Sequence, residues 1–212
     1  MSMPLTAAGI VLCGGQSRRM GTSKAWLPFG PERMLQRVVR LLAEVVQSIV
    51  VVAAPDQDLP PLPADVAVAR DRRQGRGPLE GIAAGLSALG DDDQLAFLTS
   101  CDVPLLRPAF VRRIFDLLGD CDIAVPHVEG FHHTLAAVYR RRVLADVEAL
   151  LSADRLRPVF LFERVPTRVV QPEELIDIDP HFESLRNLNH REDYLAALAT
   201  AGFDAPSERP FD

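Results

Sequence analysis

Apolar residues run unbroken through Ile10, Val11 and Leu12 and give way at Cys13, after which Gly14 and Gly15 follow. A short run that is apolar at every position predicts a strand covered on both faces, the habit of a parallel sheet. The same signature recurs at residues 48–54 and 95–98, and residues 66–69 read as a short further strand. Between these runs the period changes. Met34, Leu35, Val38, Val39, Leu42, Val45 and Val46 recur at helical spacing, with Glu32, Arg33, Gln36, Arg37 and Arg40 on the other side, which predicts a helix covering one sheet face. Pro78 pre-sets the start of a small-residue helix carrying Leu79, Ile82, Ala83 and Leu86, and Pro108 starts another, FVRRIFDLL. Further strands are expected at 122–126, 134–139 and 167–170, and further helices at 141–151 and 159–163. A last helix is signalled by Asn189 with Glu192 three residues on, a capping-box-like start.

Strands separated by helices imply right-handed βαβ units and a mostly parallel sheet, with room for one antiparallel strand toward the C-terminus. The proline-rich stretch DQDLPPLPAD is too short to separate a pair of cores and reads as a stiff surface connection. With 212 residues, 48% of them hydrophobic, and no internal repeat, one α/β domain is expected.

Composition narrows the function classes. No run approaches the roughly 18 apolar residues of a membrane span, and MSMPLTAAGIVL has no basic region ahead of its apolar run, so a soluble cytoplasmic protein with no membrane partner is expected. Cys13, Cys101 and Cys121 are odd in number and lack a C-x-x-C pair, which argues against a disulfide framework or zinc site and for small buried hydrophobes. A net charge of −6 and pI near 5.4 oppose nucleic-acid binding. Arg70, Arg72, Arg73 and Arg76 nevertheless crowd around Asp71, as a local positive field or a solvated loop.

The candidate chemistry starts after the first strand. Gly14 and Gly15 permit positive φ and let an anion approach backbone N–H groups. Arg18, Arg19 and Lys24 add fixed positive charge, a set suited to a polyphosphate. A Walker loop is excluded because Thr22 and Ser23 separate Gly21 from Lys24, and a dinucleotide fingerprint fails at Gln16 and Ser17. Parallel strands put all their carboxyl ends at one edge, where open α/β folds bind ligands. The glycine loop, Asp71 and Asp102 each follow such a strand, and the helix start at Gly77-Pro78 offers further N–H groups. Asp102, ahead of Val103-Pro104, fits either a ligand to magnesium (Mg2+) or an Asx-type turn cap.

The spacing GG-x3-RMG-x2-K, followed by Leu27-Pro28-Phe29-Gly30, resembles the signature of the sugar-nucleotide-type nucleotidyltransferases, and within them the molybdenum cofactor guanylyltransferases, the MobA family. ARDRRQGRGPLEGIAAGL, FLTSCDVP, HHTLAAVYRR and LRNLNHREDYLAAL extend the resemblance over nearly the whole chain. It implies a Rossmann-like three-layer α/β/α nucleotidyltransferase fold with a mostly parallel central sheet. A single domain over 1–212 would have a nucleotide-binding half at 1–105 and a pterin-substrate half at 106–205. The implied activity transfers GMP from GTP to the phosphate of molybdopterin or Mo-molybdopterin and releases pyrophosphate, with magnesium required. Implied partners are molybdopterin-inserting proteins and molybdoenzyme chaperone proteins.

Residue by residue, the resemblance assigns nucleotide contacts to Leu12, Cys13, Gly14, Lys24 and Asp71, magnesium to Asp102, and the pterin region to Asn187 and Asn189. Charge accounting then sets Lys24 on the α-phosphate, Arg19 on the β and γ oxygens, and the N–H groups of Gly14 and Gly15, with Gly77 and Pro78 nearby, along the tail. Lys24, Arg19 and Asp102 are the expected catalytic set. Departures from the family are Cys13 for alanine, Ser23 for aspartate, Ala53 for asparagine and His133 for proline. Rival readings are a CTP-dependent molybdopterin cytidylyltransferase and a non-catalytic nucleotide-binding module that hands cofactor to a partner. His132 and His133 adjoin a strand, so either alternation turns only one toward the crevice or they are surface histidines. Arg155 and Arg157 either meet the pterin phosphate or are solvated.

Overall fold

A computed structural model describes residues 5–14, 23–73 and 75–206. Gly15, Arg18 and Arg19, expected at the phosphate loop, lie outside the described residues.

The chain opens with β1 (Leu5–Leu12), a single-turn helix at Lys24–Trp26, the small hairpin β2 (Pro28–Phe29) and β3 (Glu32–Arg33), and α1 (Met34–Ala43). Next come β4 (Val46–Ala53), β5 (Val66–Arg70), α2 (Pro78–Ser87), β6 (Leu95–Ser100) and α3 (Pro108–Asp116). The C-terminal half holds β7 (Ile123–Val128), β8 (Phe131–His132), β9 (Ala137–Arg140), α4 (Leu144–Ser152), β10 (Thr167–Val170) and α5 (Arg191–Thr200).

Among the described residues, one sheet runs β10-β7-β9-β6-β1-β4-β5, with β8 added to β7. β1 pairs parallel with both β4 and β6, β4 with β5, and β7 with β10. β9 alone in that path is antiparallel to its neighbours β6 and β7, the reversed strand expected toward the C-terminus. Two antiparallel steps restore the direction, so β7 and β10 point the same way as β1.

Alternation along β1 divides the core. Val11 packs with Leu35, Val38, Phe110 and Ile114 from α1 and α3, whereas Ile10 and Leu12 pack with Leu79, Ile82, Val147 and Leu150 from α2 and α4. Helices therefore cover both faces, which is why β1, β4 and β6 read as unbroken apolar runs. A third cluster joins Leu27, Phe29 and Met34 to Tyr194 and Leu198 of α5, clamping the hairpin that follows Lys24.

Several boundaries differ from the sequence expectation. α1 stops at Ala43, and Val46, which suited the helical period, begins β4 opposite Leu5. Residues 159–163 form a short tight helix, Pro158–Glu163, rather than an α-helix. At α5 the N-cap is His190, whose N–H donates to Asp193 Oδ2 at 2.9 Å, because the Asn189 side chain is engaged elsewhere.

Candidate active site

In the register of the sheet Leu12 faces Val52 on one side and Ser100 on the other, and Ala53 faces Arg70. The residues just past these positions therefore meet at one edge. The ladder continues briefly: Cys13 N–H donates to Val52 O at 2.7 Å, Cys101 N–H to Leu12 O at 3.0 Å and Asp71 N–H to Ala53 O at 3.0 Å. These bonds fix Gly14, Asp71 and Asp102 around a cavity of about 500 Å³.

Leu12, Cys13, Gly14, Lys24, Asp71, Gly77, Pro78, Asp102 and Asn187 line it, joined from the arginine cluster by Arg73 and Arg76. At Gly14 an added Cβ would stand 2.9 Å from Asp71 Oδ2, so a larger residue there would push the Asp71 carboxylate aside. Gly77 caps α2 at φ 73°, a conformation glycine adopts freely. The other two cluster members turn away: Arg70 Nη1 donates to Ala54 O and Gln57 O, and Arg72 faces Glu148 at 3.7 Å.

One polar network organises the floor. Lys24 Nζ donates to Asp102 Oδ2 at 2.6 Å and to Asn189 Oδ1 at 2.9 Å. Asp102 Oδ1 accepts from Ser100 Oγ at 2.6 Å and from Asn187 Nδ2 at 2.8 Å, and Leu188 N–H donates to Asp102 O at 3.0 Å. Asp102 is thus a fully oriented carboxylate rather than a bare turn cap. The two asparagines, expected in the pterin region, hold the lysine and aspartate themselves, with Asn187 gripping the carboxylate and Asn189 the ammonium.

The remaining groups have clear physical states. Asp71 Oδ1 is buried and has no hydrogen-bond partner among the described residues. Burial, and then the charge of Glu80, raise its carboxyl above the ordinary carboxylate range. The Cys13 thiol is pushed well up, first by its hydrogen bond with Cys101 and then by burial. It stays protonated, which suits a packing role and no nucleophilic one.

Sequence reasoning missed two contributors. Gln57 sits in the segment read as a plain connection, yet Gln57 Nε2 donates to Cys13 O at 3.1 Å while its Oε1 accepts from Ala54 N–H at 3.1 Å. Ser100 orients Asp102 from two residues upstream, where a strand-end serine gives no distinctive signal. His132 and His133 both line a second cavity adjoining the first, and neither is among the residues lining the nucleotide cleft. β8 ends at His132 and the chain turns, with Ala136 N–H bonding His133 O at 3.0 Å, so strand geometry no longer applies. Arg155 pairs with Glu163 at 2.9 Å and stacks on Phe160, and neither it nor Arg157 lines either cavity.

Asp102 is the carboxylate at the cleft floor that a divalent cation could take. No group of three or more His, Cys, Asp or Glu side chains is gathered among the described residues. A hard ion that takes one or two protein carboxylates and completes its shell with water and phosphate oxygens needs only what Asp102 provides.

A mostly parallel sheet with helices on both faces, and a lysine–aspartate pair at the carboxyl ends of its strands, defines an α/β nucleotidyltransferase architecture. Comparison with known proteins carries this to the family: the chain belongs to the MobA-like NTP transferase domain family, whose model matches residues 9–167. It is 33% identical over 193 residues to the molybdenum cofactor guanylyltransferase of Desulfosudis oleivorans, covering 90% of this chain and 94% of that protein. The fold is shared with molybdopterin-guanine dinucleotide biosynthesis protein A from Archaeoglobus fulgidus, at TM-score 0.76 and 18% identity over 92% of this chain and 98% of that one. It is also shared with 2-C-methyl-D-erythritol 4-phosphate cytidylyltransferase from Thermus thermophilus, at TM-score 0.69 and 17% identity over 94% and 100% of the two chains. No helix among the described residues is long and apolar enough to cross a membrane.

Proposed function

We infer that this protein is a molybdenum cofactor guanylyltransferase: it moves GMP from GTP to the terminal phosphate of molybdopterin, or of its molybdenum form, and releases pyrophosphate. The relatives bear that name, and the chain matches them over most of their length. The single observation that carries the chemistry is the Lys24–Asp102 pair, braced by Asn187 and Asn189 at the floor of the cleft.

Attack of one phosphate on another sets two anions against each other, so charge neutralisation and alignment supply the catalysis. An oxygen of the acceptor phosphate bonds to the α-phosphorus of GTP, and the bond from that phosphorus to the bridging β-oxygen breaks. A phosphate monoester has its second pKa near about 6 and is mostly a dianion at neutral pH, so no side chain need remove a proton. Lys24 binds the α-phosphoryl oxygens as negative charge moves toward the leaving group. Arg19, Gly14 and Gly15 serve the triphosphate tail, with the Gly77–Pro78 turn nearby, and Asp71 contacts the nucleotide. Asp102, oriented by Ser100 and Asn187, would hold magnesium. When bound, the ion neutralises phosphate charge.

The test is direct. Purified protein is incubated with molybdopterin, magnesium and either GTP or CTP, and the dinucleotide and pyrophosphate are measured. Product with GTP and not CTP is the expected result. Product with CTP alone overturns the base assignment, and nucleotide binding without product overturns the activity.

A further inference from the structure

We propose that Cys13 and Cys101 are a site of oxidative modification: a neighbouring pair of thiols in the wall of the nucleotide cleft that a peroxide joins into a disulfide, with loss of nucleotide transfer. The joining depends on the two cysteines alone, whereas its effect on turnover rests on the guanylyl-transfer reading above.

The sheet sets the two side chains next to each other. Leu12 faces Ser100 in the parallel pairing of β1 with β6, and Cys101 N–H donates to Leu12 O at 3.0 Å, so the next residue on each strand has the other as its neighbour. Both side chains turn to the α1 and α3 face of the core and are buried there, and both residues line the nucleotide cleft. Adjacent strands lie about 4.8 Å apart, inside the roughly 4.4–6.8 Å between Cα atoms that a disulfide spans. The two thiols are free and already share a hydrogen bond. Cys121 precedes β7 and so stands at the opposite edge of the sheet, out of reach of either. Cys13 departs from the alanine that the family resemblance implies, so the thiol pair is no requirement of the transfer reaction itself.

The reaction balances with a peroxide as the oxidant. Cys101, as its thiolate, attacks one peroxide oxygen and becomes a sulfenic acid; the O–O bond breaks and the other oxygen leaves as water with the thiol's proton. The sulfenic sulfur then joins Cys13, whose proton departs with the hydroxyl as a second water. Two thiols are oxidised and one peroxide is reduced. Cys13 holds its proton tightly and both sulfurs are buried, so the bridge forms under sustained oxidation and not in a burst. Its consequences fall on the site because the next residues along the chain are Gly14 and Asp102, and Cys13 O accepts from Gln57 Nε2 at 3.1 Å. Drawing two sulfurs from contact into a covalent bond carries these neighbours with it, and a displacement of about 1 Å at a reacting centre costs on the order of 100-fold in rate.

The experiment treats wild type, Cys13→Ala, Cys101→Ala and Cys121→Ala with hydrogen peroxide, alkylates the remaining thiols and maps cross-linked peptides by mass spectrometry. Dinucleotide formation and the thermal shift given by GTP with magnesium are measured before treatment, after it, and after dithiothreitol. Wild type and Cys121→Ala are expected to show a Cys13–Cys101 cross-link and a fall in turnover of about 10- to 100-fold that dithiothreitol reverses. Cys13→Ala and Cys101→Ala each keep most of their own untreated turnover. Oxidised wild type without that cross-link overturns the proposal, and so does a cross-link that leaves turnover and the GTP thermal shift unchanged. An equal loss in Cys13→Ala and wild type also overturns it, by placing the damage elsewhere. A wild-type protein that forms no dinucleotide before treatment overturns the underlying reading, while the cross-link and the GTP thermal shift still decide the bridge.

Discussion

Lys24 Nζ lies 2.6 Å from Asp102 Oδ2 although 78 residues separate them in the chain. Both side chains are largely buried, with 17% and 11% of their surfaces exposed, so the pair is shielded from the screening that weakens surface ion pairs. Under the proposed reaction, substrate phosphates entering the cleft would take over some of the lysine's charge. Lys24→Ala is expected to lower turnover by about 100-fold or more, the usual loss when a charge-stabilising donor is removed. Far-UV circular dichroism should stay unchanged, and near-normal turnover in a folded variant would remove Lys24 from the reaction.

The two asparagines separate by role. Asn187 orients Asp102, so Asn187→Ala is expected to raise the magnesium concentration giving half-maximal rate by about 10- to 100-fold, with rate recovered at high magnesium. Asn189 touches only Lys24 within this network, so Asn189→Ala should lower turnover with no change in magnesium requirement. A titration of rate against magnesium for both variants reads the difference. Equal shifts in the two would show that the network acts as one unit.

How far the sequence reveals this site depends on whether a residue's role is set locally. The apolar runs of β1, β5 and β6 put Gly14, Asp71 and Asp102 after strand ends, and parallel pairing through β4 then brings them together without further information. Val46 is ambiguous because an apolar residue at a helix–strand junction satisfies both periods, and only its pairing with Leu5 decides. The bonds of Asn187 to Asp102 and of Asn189 to Lys24 span 85 and 165 residues. No local pattern encodes such contacts. Gln57 escapes because prolines dominate its segment, and the placement of both His132 and His133 at one second cavity escapes because alternation fails where β8 ends.

Asp71 links function to pH. Burial and Glu80 raise its carboxyl in the folded protein, so the folded state holds that proton more tightly than the unfolded chain does. The stability contributed by the protonated form is complete below the unfolded value and is lost as pH rises through the folded one. At neutral pH the ionised carboxylate therefore costs stability. Asp71→Asn should melt higher than wild type near pH 7 without nucleotide, and the gap should close as pH falls toward the ordinary carboxylate range, followed by calorimetry. The same variant should gain less thermal stability from GTP, because a proposed ligand group has been lost. A variant no more stable at neutral pH would show that the burial of Asp71 is already offset by other groups.

The cleft's depth depends on how closely α2 lies on β1, and Gly85 sets that distance. A Cβ there would stand 2.5 Å from Ile10 Cγ2, 3.1 Å from Ile10 Cδ1 and 3.3 Å from Val52 Cγ2. All three atoms belong to strand residues buried between layers, so relief requires the helix to lift from the sheet. Gly81, one turn earlier, would bring a Cβ no nearer than 3.2 Å to the movable end of Leu12. Replacing glycine by alanine inside a helix favours folding by roughly 0.5–1 kcal/mol when space allows, whereas overpacking a core costs about 1–3 kcal/mol. Gly85→Ala is therefore expected to lower the melting temperature by several degrees, since about 1 kcal/mol shifts a domain of this size by roughly 2–4 °C. Gly81→Ala should leave stability near wild type while narrowing the cleft next to Leu12 and Asp71, and so should raise GTP KM. Denaturant melts of both variants decide it, because a destabilisation equal at the two positions would mean that helix–sheet spacing is not set at Gly85.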